Sequence, residues 1–105
     1  MNMVVMELVR VAKSLVGGGT YFAVHVPKSV YKRSPDFDVA SLEDEISAVV
    51  RRRGGEIRSS DIGGSIMEFT YLLPDGVDYR MVFSEIRRLP EWREAARVGA
   101  GMGLM

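Results

Sequence analysis

Hydrophobic and polar residues recur along the chain with two periods, and the change from one period to the other predicts its helices and strands. Residues 3 to 16 place polar side chains at spacings of three and four, which is typical of a helix with one narrow polar stripe. Three glycines at 17 to 19 favour the end of that helix. The β-branched and aromatic run at 20 to 26 then predicts a strand that ends at Pro27.

A helical period returns over residues 41 to 53. Ser41 suits the N-cap, and Asp44 three positions later forms a variant of the capping box. Gly54 and Gly55 follow and favour the end of the helix. Apolar residues at helical spacing predict the stripe that this helix buries: Leu42, Ile46, Val49 and Val50.

Turn signals divide residues 56 to 83 into three predicted strands. Gly63-Gly64 lies between two extended runs, and glycine readily takes the positive φ angles of a two-residue hairpin. Pro-Asp-Gly at 74 to 76 predicts a second turn. The alternating residues 77 to 83 would then form the third strand of a meander.

The C-terminal residues predict further helix and complete the fold. Ser84 suits the cap of a short helix, and Pro90 suits the first turn of a last helix at 90 to 98. Residues 99 to 105 are expected to be a flexible tail or to form a contact. The order α-β-α-β-β-β-α predicts a single α+β domain over 1 to 105: a mainly antiparallel four-stranded sheet with helices packed on one face.

Composition narrows the class of protein. The 105 residues are 47% hydrophobic and 27% charged, and no apolar run reaches the roughly 18 residues of a membrane span. Charges interrupt the apolar N-terminal segment, so we expect a cytoplasmic protein without a signal peptide. The absence of cysteine excludes disulfides and thiolate chemistry. Abundant arginine and scarce asparagine and glutamine suggest a thermophilic source, whereas seven methionines argue against one.

No residue pattern predicts catalysis, a cofactor or a metal site. His25 is the single histidine, and no carboxylates stand at a familiar metal-ligand spacing, so a hydrogen-bonded structural role is expected. Ser59, Ser60 and Asp61 lack the sequence of a nucleophile elbow. The glycines at 17 to 19 follow a helix, whereas a phosphate loop precedes one. We therefore expect a protein that is not an enzyme.

One face of the hairpin is a candidate binding surface. A two-residue turn would place Arg58 opposite Phe69 and Glu56 opposite Tyr71. If helices cover the other face, Arg58 and both rings lie in solvent, where bases could stack on the rings for about 1–3 kcal/mol each. The alternative places both rings in the core with Met67 and leaves Arg58 at its margin.

Pairs of an aromatic ring and a cation recur outside the hairpin. KSVYKRSPDFD at 28 to 38 holds three cations and two rings, and Tyr79-Arg80 and Trp92-Arg93 repeat the pairing. Gathered round one groove, such pairs would bind single-stranded DNA or RNA; otherwise residues 28 to 38 only cover a sheet edge. A formal net charge of zero argues against a protein that coats duplex DNA. The predicted site comprises four rings and four cations: Tyr31, Phe69, Tyr71, Tyr79, Lys32, Arg33, Arg58 and Arg80.

The layout resembles the ThermoDBP-related proteins of hyperthermophilic archaea. The segments that carry the resemblance are YFAVHV, VYKR, SLEDEISAVVRRRGG, and the IGGS hairpin with the EFTYLLPDG that follows it. Those proteins bind single-stranded DNA without an OB-fold, through a cleft of apolar and basic side chains beside an antiparallel sheet. The resemblance implies the same activity here. It includes no diagnostic motif, so no site residues of that family are assigned to this chain. No heptad pattern follows residue 98, so a coiled-coil dimer is not expected.

A second hypothesis is a protein-interaction or self-assembly module. The broad apolar surface of the predicted helix at 3 to 16 and the methionine-containing residues 99 to 105 favour it. The expected partner would then be another protein or a second copy in a homo-oligomer. Tail deletion followed by sedimentation separates this hypothesis from nucleic-acid binding.

Overall fold

The computed structural model describes residues 19 to 105. It confirms an α+β fold, with an antiparallel four-stranded sheet of order β2-β3-β1-β4. The strands are β1 (Thr20–Pro27), β2 (Glu56–Asp61), β3 (Ile66–Leu73) and β4 (Gly101–Leu104), and the helices are α1 (Ser29–Arg33), α2 (Val39–Arg52), α3 (Tyr79–Ile86) and α4 (Pro90–Arg97). The helix predicted at 3 to 16 lies outside the described residues. No helix within them is long and apolar enough to cross a bilayer.

The hydrophobic core lies between one face of the sheet and the described helices. Alternation along β1 places Phe22, Val24 and Val26 on this face, and β3 presents Phe69 and Tyr71 beside them. The rings of Phe22 and Tyr71 stack with centroids 5.1 Å apart. Each large side chain that is fully buried contributes about 1.5–3 kcal/mol relative to exposure. Side chains of α2, α3 and α4 complete this core, so the helices pack on one face as predicted.

The N-cap of α2 is Asp38, not the predicted Ser41. The Asp38 carboxylate accepts hydrogen bonds from the Ala40 N–H at 3.0 Å and the Ser41 N–H at 3.3 Å. Aspartate caps as well as serine does, and Asp38 has the extended backbone of a cap residue. Gly54 follows the helix with φ +79°, and the predicted buried stripe of α2 is confirmed.

Residues 79 to 86 form α3, so the prediction of a third meander strand at 77 to 83 is wrong. Asp78 caps this helix by accepting a hydrogen bond from the Arg80 N–H at 2.9 Å. Ser84 therefore lies inside the helix rather than at its cap. The buried residues of α3 recur at helical spacing, and one lies beyond the predicted strand: Val82, Phe83 and Ile86.

The fourth strand is β4, where the sequence predicts a flexible tail. Gly99 has φ +124°, which favours glycine, and it turns the chain from α4 back to the sheet. β4 pairs antiparallel with β1, and Met102 and Leu104 pack against the core. The sequence does alternate with period two here, but glycine at 101 and 103 lowers the β-propensity and weakens the signal.

The hairpin between β2 and β3 has a longer turn and a different register than predicted. Residues 62 to 65 form the turn, and neither of its glycines has a positive φ. The Asp61 carboxylate accepts a hydrogen bond from the backbone of this turn at 3.1 Å, which stabilises the wider loop. At the turn end of the hairpin Asp61 pairs with Glu68, so Phe69 pairs with Ser60 rather than with Arg58, and a β-bulge around Arg58 then shifts the register of the residues beyond it.

Candidate nucleic-acid interface

The hairpin rings predicted to stack on bases are buried. Phe69 and Tyr71 are 1% and 0% exposed, and Met67 lies with them in the core. The prediction that bases stack on these two rings is therefore wrong, and the core alternative is correct. The reason is that their face of β3 carries more hydrocarbon than the face of Ile66 and Leu72, so its burial stabilises the fold more.

The Tyr71 hydroxyl is a buried polar group without a hydrogen-bond partner among the described residues. Burial raises the pKa of Tyr71 to about 12, although the nearby Ser47 hydroxyl opposes that rise. The Ser47 Oγ is also buried and lacks a partner of hydrogen-bond geometry within residues 19 to 105. These two hydroxyls are therefore a weak point in an otherwise apolar core.

Arg58, Tyr79 and Arg80 are held by local contacts. The Arg58 guanidinium lies 2.8 Å from the Glu56 carboxylate, which belongs to the sheet face opposite the core. Tyr79 packs edge-on against a core phenylalanine with ring centroids 5.4 Å apart, so part of its ring is covered. Arg80 forms an ion pair with Asp78 at 3.2 Å. Both arginines are thus already partly neutralised, which lowers their attraction for a phosphate.

α1 presents Tyr31, Lys32 and Arg33 to solvent. Tyr31 is 37% exposed, and its ring rests against a core phenylalanine at a centroid distance of 5.9 Å. Neither of the two cations forms an ion pair with a carboxylate of the described chain. The Ser34 hydroxyl donates a hydrogen bond to Glu94, which brings the end of α1 beside α4. α1 is therefore a small basic surface next to α4.

The predicted site residues do not meet in one groove. β1 begins at Thr20, opposite Leu73, and ends at Pro27, opposite Ile66. At the rise of an extended strand, these ends are roughly 23 Å apart. α1 leaves the sheet at the Pro27 end, whereas α3 begins soon after Leu73 at the other end. The ring and cation pairs of α1 and α3 therefore start from opposite ends of the sheet.

A cleft of about 480 Å³ opens where the end of α3, α4 and β4 come together. The reversal at 87 to 89 carries the chain from α3 into α4, where Pro90 occupies the first turn. Positions three and four apart on α4 share a face, and β4 supplies the other wall. The residues that line the cleft are Arg87, Trp92, Arg93, Ala96, Gly101 and Met102.

Two guanidinium groups border this cleft without a carboxylate partner. Neither Arg87 nor Arg93 forms an ion pair within residues 19 to 105. By contrast, Glu85 and Glu94 on the same helices are each bound to another arginine. The Arg87 guanidinium lies 5.8 Å from the centroid of the Phe83 ring, a cation–π distance. The cleft therefore has a local excess of positive charge in a chain whose net charge is zero.

The floor of the cleft is apolar. Trp92 is 5% exposed and Met102 is half-buried. Because only 5% of Trp92 is exposed, little of its ring is available for stacking, and its contact with a base or sugar would be hydrophobic. The sequence pattern singles out Trp92-Arg93 but not Arg87 and Met102. These two residues reach the cleft through the end of α3 and through β4, and the sequence predicts a strand over most of α3 and no strand at β4.

His25 has the hydrogen-bonded role that the sequence predicts. Its Nε2 lies 2.8 Å from the Glu68 Oε2 on the sheet face opposite the core, and both side chains are partly exposed. In the part of the chain that the structure describes, no three histidine or acidic side chains are arranged to hold a metal ion.

Glu94 joins α4 to α1 and has a strongly lowered pKa. Its carboxylate accepts hydrogen bonds from Arg97 at 2.8 Å and from Ser34, and these lower its pKa from an ordinary 4.5 to about 2. A carboxyl group whose pKa is lowered by folding stabilises the folded state above its ordinary pKa. That contribution is lost as the pH falls towards the pKa of the folded state.

We expect Glu94→Gln to flatten the decline in stability between pH 4.5 and about pH 2, because glutamine does not titrate. The urea midpoint, measured against pH, reports this slope. Arg97→Ala should also flatten the slope, since Arg97 is the larger cause of the lowered pKa. Two variants with the slope of the wild type would contradict the lowered pKa of Glu94.

Comparison of the chain with known protein families, with curated proteins and with solved structures finds no match in any of the three. The resemblance to ThermoDBP-related proteins stays a prediction. The geometry of the cleft is therefore the main support for a function.

Proposed function

We propose that the protein binds single-stranded nucleic acid, without catalysis, at the cleft between α3, α4 and β4. The observation that carries the proposal is that Arg87 and Arg93 border one cleft with an apolar floor and have no carboxylate partner in the described chain. A guanidinium binds phosphate through two parallel N–H···O bonds. A polynucleotide supplies phosphates for the arginines and sugars and bases for the apolar floor.

α1 extends the basic surface beyond the cleft. Because the Ser34 hydrogen bond holds the end of α1 beside α4, Lys32 and Arg33 lie near the helix that carries Arg93. Tyr31 is the most accessible of the four predicted rings, and a base could stack on its open part. Three of the site residues predicted from the sequence would thus form a flank of the cleft: Tyr31, Lys32 and Arg33.

The dimensions and charge of the cleft favour a single strand over a duplex. The cleft is open to solvent, and its volume of about 480 Å³ is in the range of sites that accept one small organic group. A nucleotide that has left its stack can enter such a site, whereas a paired base cannot. The zero net charge also leaves little of the general attraction on which duplex binding depends.

Fluorescence anisotropy with labelled single-stranded and duplex oligonucleotides, at two salt concentrations, tests the proposal. Arg87→Ala and Arg93→Ala should each weaken single-strand binding about tenfold, since a hydrogen bond to a charged group contributes about 1.5–3 kcal/mol. Each variant should also reduce the slope of log Kd against log salt concentration by about 0.7, the contribution of one phosphate contact.

Arg51→Ala is the matched control for charge. Arg51 is exposed and has no ion pair within residues 19 to 105, but it lies on α2 and does not line the cleft. Arg58→Ala should likewise keep the affinity, because Glu56 already pairs with Arg58. Equal weakening by Arg51→Ala and Arg93→Ala would assign the binding to general charge and contradict the cleft as the binding site. Absence of single-strand binding by the wild type would contradict the proposed function.

A further inference from the structure

β4 is an edge strand whose outer backbone groups have no strand partner among residues 19 to 105. In the sheet, β4 has β1 on one side only. The Met105 N–H donates to the Tyr21 carbonyl, and hydrogen-bonded pairs alternate along an antiparallel ladder. The two glycines of β4 therefore direct their backbone groups towards β1. Met102 and Leu104 direct theirs outward.

The two edges of the sheet differ in their protection against pairing. β2, at the other edge, has a bulge around Arg58 and carries the charged Glu56 and Asp61. Bulges and charges are the devices by which natural edge strands avoid another chain. β4 reads Gly-Met-Gly-Leu, with no charge and no proline, and its register with β1 is regular. Its edge is the less protected of the two.

Within residues 19 to 105, no contact or backbone angle requires glycine at the two positions of β4. Neither Gly101 nor Gly103 has a positive φ, and a Cβ at either position would meet no described atom within 4 Å. Glycine is otherwise unfavourable inside a strand, and it often marks a close approach of another backbone. The bare backbone at these positions leaves room for a second chain.

We propose that β4 pairs antiparallel with β4 of a second copy about a two-fold axis. Directly opposed residues of an antiparallel pair lie on the same face of the sheet. In the proposed register, the outward backbone N–H and C=O groups of Met102 pair with those of Leu104 of the second copy. This register puts Gly103 on the axis, opposite its own equivalent. The outward hydrogen-bonding groups of β4 thus match those of a second β4, which favours a second copy of the chain as the partner. Met105, 45% exposed beside this edge, adds apolar contact.

The pairing would bring two clefts together. Gly101 and Met102 belong to β4 and also line the cleft, so the clefts of both copies would lie close to the axis. Arg87 and Arg93 of both copies would then border one longer surface for a nucleic-acid strand. This consequence rests on the proposed function, whereas the pairing of the strands does not.

Sedimentation velocity without nucleic acid tests the pairing. Because β4 is short, the interface is small, and the wild type should show a monomer–dimer equilibrium that depends on concentration. Gly103→Glu and Gly103→Lys should each be monomeric over the same range, since like charges would face each other on the axis. Circular dichroism should show that both variants remain folded, because a Cβ at this position would meet no atom of residues 19 to 105 within 4 Å.

A mixture of Gly103→Glu and Gly103→Lys should form dimers again, because opposite charges then face each other on the axis. A misfolded variant could not be rescued in this way. A strictly monomeric wild type, dimers that survive in Gly103→Glu alone, or a mixture that stays monomeric would each overturn the pairing. Anisotropy on the same samples measures nucleic-acid binding separately, so dimers that bind no oligonucleotide overturn only the proposed function.

Discussion

Replacement of Tyr71 by alanine is expected to lower the free energy of unfolding by about 3–5 kcal/mol. The ring of Tyr71 is fully buried and stacks on Phe22 at the pairing of β1 with β3. Its removal leaves a cavity that the strands on either side can fill only in part, because their backbones are fixed by the ladder. Urea unfolding followed by circular dichroism measures the loss.

Tyr71→Phe is the matched control for this change. It keeps the ring and removes only a hydroxyl that is buried without a partner in the described chain. Its free energy of unfolding should therefore stay within about 1 kcal/mol of the wild type or rise above it. A Tyr71→Ala protein with wild-type stability and no affinity for oligonucleotides would contradict the buried position of the ring and restore the hairpin as a base-stacking surface.

Gly55→Ala is expected to lower the free energy of unfolding by about 3 kcal/mol, the upper part of the range for overpacked sites. A Cβ at Gly55 would lie 2.7 Å from the Leu72 carbonyl oxygen and 2.7 Å from a methyl carbon of Val50. Since the first of these is a backbone atom of β3, relief requires a movement of the α2–β2 connection against the sheet. Differential scanning calorimetry measures the corresponding fall in Tm.

Gly63→Ala is the control for glycine replacement in general. Among residues 19 to 105, its Cβ would meet only a carboxylate oxygen of Asp61 at 3.7 Å, and its φ is not positive. The expected change is within about 0.5 kcal/mol, as for most surface substitutions. Equal Tm values for Gly55→Ala and Gly63→Ala would contradict the close approach of the α2–β2 connection to β3.

The elements that the sequence predicts well are those in which every local signal agrees. β1 has β-branched and aromatic residues in alternation, and α2 has apolar residues at helical spacing with glycine at its end. In α3 the local signals disagree. Residues 77 to 83 alternate as a strand would, and the helical spacing becomes visible only when Ile86 is included. In β4 the signal is weak because half of the strand is glycine, which carries no side-chain pattern.

The candidate site was less predictable than the fold, because it depends on contacts between distant residues. Arg87 and Met102 meet only when a helix reversal and an edge strand are both in place. The hairpin shows a similar effect, because its register is already shifted at the turn end and the bulge at Arg58 changes the partners of the residues beyond it. No local pattern in the sequence carries this information.

The attachment of β4 to β1 has a consequence for the kinetics of folding and ligand exchange. It joins the first and last described strands, a pairing of high sequence separation that is slow to close. A short edge strand is also among the first segments to open by local unfolding. Because β4 supplies one wall of the cleft, its detachment would disassemble the site while the remaining core stays folded. Any ligand of the cleft would thus stabilise the docked strand, and its measured affinity would include the free energy of docking.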